Sequence, residues 1–120
     1  MIEEKIKLKI KENKKISFSE YMEIVLFDKD YGFYENGKVL GEDGHFITSP
    51  LVSKYFSHCI AKNFIKVFED EKLNNIVEIG AGNAELSKNL ILYLNNKKYL
   101  PKKYYFLDKS LHLINKQKEI

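Results

Sequence analysis

At 120 residues the chain has room for one small domain and not for two. Its charge is mildly positive, +3, and every basic residue is lysine, so the guanidinium fork used by nucleic-acid readers is missing and no nucleic-acid partner is expected. One cysteine, Cys59, excludes an internal disulfide and suits a reducing compartment.

The opening, Met1 to Lys7, lacks the apolar core of a signal peptide, and no long apolar run marks a membrane span. A cytoplasmic, soluble chain with no membrane partner is therefore expected. Lysines from Lys5 to Lys15 alternate with apolar residues and with Glu3, Glu4 and Glu12, as on the solvated face of a first helix. Ser17 followed by Glu20 forms a capping box, which predicts a short helix turning Phe18, Met22, Val25 and Leu26 inward. Asp28 to Tyr31 turns the chain, and Asn36-Gly37 between Phe33-Tyr34 and Val39-Leu40 predicts a tight hairpin. Ser49 as cap and Pro50 as first residue open a long helix. Its apolar stripe runs through Val52, Tyr55, Phe56, Cys59, Ile60, Phe64, Val67 and Phe68, with Cys59 expected as packing and not as a nucleophile.

The run from Ile76 to Leu86 carries the chemistry. Ile76, Val77 and Ile79 predict a short buried strand, and Gly80 and Gly82 let the backbone turn sharply and approach a ligand. Leu86, Leu90, Tyr93 and Leu94 then recur at helical spacing, so free amides at that helix start would face an anionic group over the turn. A dinucleotide fingerprint needs Gly or Ala at position 85, which is Glu. Glu78, Gly80 and Gly82, with Ala84 in place of a last glycine, fit instead the acidic-x-Gly-x-Gly-x-Gly pattern of S-adenosylmethionine (SAM) methyltransferases. The same glycines would also serve a plain tight turn.

Downstream, past a loop marked by Asn95-Asn96 and Pro101, Tyr104 to Leu107 predicts a second strand ending in Asp108, placed to accept from both ribose hydroxyls of a nucleoside. The other role open to Asp108 is an acid at a helix start, where Ser110 is a plausible cap. His45, His58 and His112 share no carboxylate or cysteine at ligand spacing, and no metal is expected.

Phe106 to Gln117 resembles the valine-glutamate-x-serine-proline-x-leucine-arginine-x-x-glutamine run of the MidA family of SAM-dependent methyltransferases, with Asp108 for its Glu, Leu111 for its Pro and Ile114 for its Arg. Tyr31-Gly32-Phe33-Tyr34 and Gly44-His45-Phe46-Ile47-Thr48-Ser49-Pro50 are similar to two further elements of that family, in the same order. His45 stands where the family has Asp and Leu51 where it commonly has Glu, which removes a fixed anion and a polar contact.

The resemblance covers the family's amino-terminal third. It implies an incomplete α/β, Rossmann-like class I methyltransferase fold, with a helical and hairpin segment over 1–70, then the first two parallel strands of a SAM-binding domain over 71–120. Glu78 would attract the ammonium group of SAM, Gly80 and Gly82 would admit its methionine part, and Asp108 would hold the ribose. Ala81, Ser110, Thr48, Ser49 and Pro50 complete the implied cofactor-binding set, while the catalytic residues are not identified. The implied acceptor is a protein arginine side chain. Two parallel strands need cover and neighbours, so an oligomer or a complementing carboxy-terminal chain is expected. Two other functions fit the same residues: a non-catalytic assembly module, for example for a respiratory complex, and a nicotinamide-dependent oxidoreductase, against which Glu85 argues.

Overall fold

In the computed structural model, which describes residues 1–36 and 44–120, the lysine-rich start forms helix α1 (Ile2–Asn13), with no buried residue. Lys5 ties α1 to the turn beyond the next helix by reaching the carboxylates of Asp28 and Asp30, each at 2.8 Å. Helix α2 (Phe18–Phe27) opens on the predicted box, Ser17 Oγ accepting from Glu20 N at 3.1 Å and the Glu20 carboxylate accepting from Ser17 N at 2.8 Å. Met22, Val25 and Leu26 are half-buried, but Phe18 is 76% exposed. It is the first residue of the helix, and its ring stacks on Tyr21 at the surface instead of entering a core.

After α2 the chain folds back on it. Gly32 N donates to Asp28 O at 2.6 Å, and Phe33 N and Tyr34 N donate to Val25 O and Leu26 O, each at 2.9 Å. Phe33 and Tyr34 thus lie in a turn and not in a hairpin strand; Gly37, Val39 and Leu40 lie outside the described residues. Gly32 is buried, and a Cβ there would overlap the backbone nitrogen and carbonyl oxygen of Asp28. Gly32→Ala is expected to destabilise the protein by about 1–3 kcal/mol, the usual cost of overpacking. Denaturant unfolding measures it, and an unchanged midpoint would show that this turn yields freely.

The long helix expected from Ser49 divides into α3 (Ser49–Val52), capped from Thr48, and α4 (Lys54–Glu71). Between them Ser53 is extended (φ −157°, ψ 129°), and its Oγ accepts from Tyr55 N at 3.2 Å to start α4. The break shifts the buried face. Val52, Tyr55, Phe56, Cys59 and Val67 are exposed, whereas the small side chains of Ser57 and Ala61 are fully buried. Small residues there let α4 lie close against α5 (Glu85–Asn96), whose Leu90 and Leu94 are fully buried.

Strands β1 (Asn75–Ile79) and β2 (Lys103–Leu107) pair in parallel, Ile76 opposite Tyr104 and Ile79 opposite Leu107, joined by the crossover through α5. Helix α6 (Leu111–Gln117) follows β2. One sheet face meets α4 and α5 in a core of Ile76, Ala61, Leu90 and Leu94, flanked by Phe64, Phe68 and Tyr104. Because α4 belongs to the first expected segment and α5 to the second, one core spans both. The strands are not buried throughout, as their apolar composition had suggested: Val77 and Ile79 are 61% and 77% exposed, and Tyr105 and Leu107 beside them are exposed too. Side chains alternate across a strand, and both helices cover the same face.

Candidate functional site

The fold places a glycine turn directly beside the end of the second strand. Past β1 the backbone enters the left-handed region at Gly80 (φ 69°) and Gly82 (φ 59°), a conformation natural to glycine. Gly80 N donates to Leu107 O at 2.8 Å, which pins the turn to the last residue of β2, and Ala84 N closes it on Ala81 O at 2.8 Å. Ala84 shares the left-handed geometry (φ 59°) and is fully buried. Its methyl group is therefore tolerated at some backbone strain.

A cleft of about 800 Å³ opens over this turn, within the usual range for small-molecule sites. Glu78, Gly80, Ala81, Gly82, Asp108, Thr48 and Pro50 line it; Ser49 and Ser110 lie outside the lining. Ser110 is instead fully buried, its Oγ donating to Tyr34 O at 2.8 Å and accepting from Leu113 N at 3.2 Å as the cap of α6. The Glu35 carboxylate closes the same helix start by accepting from Leu111 N and His112 N, at 3.0 and 3.3 Å. These contacts dock the α2 turn on α6 and bring Phe27 and Tyr34 into the cleft wall, a contribution that no local sequence signal announced.

Three acidic residues line the cleft: Glu78, Glu85 and Asp108. The Tyr104 hydroxyl donates to Glu78 Oε2 at 2.6 Å. Burial, and then the Glu78 carboxylate, push the Tyr104 phenol well above its ordinary range, so it remains a donor at any working pH. Asp108 Oδ1 accepts from Lys109 N at 2.8 Å and Ser110 N at 3.2 Å, and its Oδ2 accepts from Gln117 Nε2 at 2.9 Å. Three of the four acceptor positions of that carboxylate are filled, leaving one, not two, for a ligand without rearrangement. Of the two roles considered for Asp108, the structure shows the acceptor at the start of α6, and the residue also lines the cleft. Gln117, the end of the quoted family run, had no assigned role; its partners lie 35 and 9 residues away, beyond any local pattern.

At the start of α5 the first amide is taken and the local charge is negative, which disfavours an anion there. Asn83 Oδ1 accepts from Glu85 N at 3.4 Å, and the Glu85 side chain puts a negative charge on the first turn, while Asn89 Nδ2 holds its carboxylate at 2.8 Å. The ammonium that lines the cleft, on Lys109, pairs with Glu23 and sits 4.8 Å from the Phe27 ring centroid. The three histidines are apart: His45 lies near Phe33, His58 packs on Tyr93, and His112 is in α6. Among the described residues no group of His, Cys, Asp or Glu is placed to hold a metal, and no helix is long and apolar enough to cross a membrane.

No family model matches the chain. It is 35% identical over 109 residues to the mitochondrial protein arginine methyltransferase NDUFAF7 of Bos taurus, covering 88% of this chain and 24% of that protein. Against the Drosophila melanogaster homologue it is 32% identical over 98 residues, covering 78% and 22%. The chain belongs to the MidA family. A solved structure from Burkholderia thailandensis, a superfamily member and candidate methyl transferase bound to S-adenosyl-homocysteine, superimposes on this MidA chain with a TM-score of 0.87. The two are 27% identical, the match covering 98% of this chain and 32% of that one. The MidA chain thus carries part of a Rossmann-like methyltransferase fold, and it spans about a quarter of the length of the curated relatives it matches.

Proposed function

We propose that this chain supplies the cofactor-binding part of a SAM-dependent methyltransferase whose acceptor is a protein arginine. The observation that carries the proposal is the acidic cleft over a glycine turn. A dinucleotide would bring its pyrophosphate against Glu85, where its fingerprint needs glycine or alanine, whereas SAM brings a sulfonium and an ammonium, both suited to nearby carboxylates. The residues fit such a ligand: Glu78 is held by Tyr104, Gly80 has open space on its side-chain face, and Asp108 keeps one free acceptor position. The bound cofactor supplies an activated methyl group with a good leaving group.

The chain's own part is then binding, orientation and exclusion of water. Glu78 takes the ammonium group, the Gly80 to Gly82 turn admits the methionine portion, and Asp108 accepts from a ribose hydroxyl. Phe27, Tyr34, Pro50 and Leu113 form apolar walls, and Thr48 adds a polar edge. The arginine acceptor is supported by the names of the relatives, and with it a protein partner. A reducing compartment, the cytoplasm, suits the exposed thiol of Cys59. In this reading 71–120 forms the cofactor-binding segment and 1–70 supplies its wall and cover.

Titration calorimetry on the purified protein at its full natural length tests the cofactor. S-adenosylhomocysteine is expected to bind and NAD to give no comparable heat. Tighter binding of NAD would overturn the assignment.

A further inference from the structure

We propose that Gln117 is a positioning residue of this site, its amide coupling the glycine turn to Asp108 and directing the one acceptor position that Asp108 has left toward a ribose hydroxyl. The proposal rests on the SAM-binding function proposed above. Gln117 is the last residue of α6 and only 5% exposed. Its Nε2 donates to Gly82 O at 3.0 Å and to Asp108 Oδ2 at 2.9 Å. Both hydrogens of the amide are thereby used, one on each wall of the cleft. The orientation of the amide follows from its partners, because both are acceptors and the reversed amide would place oxygen against oxygen.

The other end of the same amide shows that packing alone does not call for it. Gln117 Oε1 is buried and has no hydrogen-bond partner, an unfavourable arrangement that an apolar side chain of equal size would avoid. What glutamine adds is the link. Asp108 Oδ1 is already held by Lys109 N and Ser110 N, so the Gln117 bond to Oδ2 removes the last rotational freedom of the carboxylate. The same bond to Gly82 O sets the spacing between that carboxylate and the turn. A nucleoside that must touch both the turn and the acid meets them at a distance set in advance.

A thermodynamic cycle in S-adenosylhomocysteine affinity tests this on the protein at its full natural length. Gln117→Met keeps the volume and removes both donors; it is expected to weaken binding roughly tenfold, the loss typical of one hydrogen bond to a charged partner. In an Asp108→Ala background the same substitution is expected to cost less than about twofold, because the group through which Gln117 acts is gone. Gln117→Asn, one methylene shorter and unable to span both partners, should repeat the pattern and covers the case in which methionine disturbs the fold. Equal losses with and without Asp108, or no loss, would reduce Gln117 to a packing residue and overturn the proposal. Failure of the unsubstituted protein to bind S-adenosylhomocysteine would instead overturn the function on which it rests.

Discussion

Replacing Gly80 by alanine is expected to leave a folded protein that no longer holds its cofactor. Gly80 has φ 69°, where an L residue is strained by about 1–2 kcal/mol; that is the expected loss of stability. A Cβ at Gly80 meets no atom within 4 Å, and the residue lines the cleft. The added methyl group would therefore clash with nothing in the protein itself and would intrude on the space over the turn. Affinity for S-adenosylhomocysteine is expected to fall roughly a hundredfold, equivalent to about 2.7 kcal/mol. Thermal unfolding and calorimetry, run side by side, separate the two effects. A drop in stability with unaltered affinity would place the ligand elsewhere. The contrast with Gly32 is sharp, since a side chain there collides with the backbone of Asp28 and alanine should damage the fold.

What could be read in the sequence was local. The Ser17 and Glu20 box, the strand into Gly80 and Gly82, and the strand into Asp108 each depend on residues a few positions apart, and all three form as expected. The break at Ser53 was hidden, because an apolar stripe continues through it and a serine in a helical pattern is ambiguous between interior and cap. Exposure of Val77, Ile79 and Phe18 was hidden for a different reason: apolar composition marks a face fit for burial, but burial also needs a neighbour. The candidate cleft was legible in its floor and, through the family resemblance, at Thr48 and Pro50, but not in the rest of its walls. Glu78, Gly80 and Asp108 announce themselves by spacing, whereas Phe27 and Tyr34 reach the cleft only because Glu35 and the Tyr34 carbonyl engage the start of α6, some 76 residues on. Glu85 is the wrong residue for a dinucleotide by spacing alone, and the structure places it in the lining of the cleft.

Asp108→Ala is expected to separate binding from fold less cleanly, and the difference is informative. The carboxylate accepts three hydrogen bonds, from Lys109 N, Ser110 N and Gln117 Nε2, at 2.8, 3.2 and 2.9 Å. Removing it leaves the buried Gln117 amide with Gly82 O as its one acceptor and loosens the start of α6, so a stability loss of about 1–3 kcal/mol is expected. The ligand loses a charged acceptor in addition. Hydrogen bonds to charged groups contribute about 1.5–3 kcal/mol, which predicts a ten- to hundredfold weaker complex with S-adenosylhomocysteine. Because one acceptor position is free, the lower end applies if a single ribose hydroxyl is engaged, and the upper end requires that the displaced acid also lets the turn shift. Calorimetry at a temperature well below both unfolding midpoints measures the affinity on folded protein. Unchanged affinity there, with the stability loss present, would assign Asp108 to holding α6 and would remove it from the cofactor site.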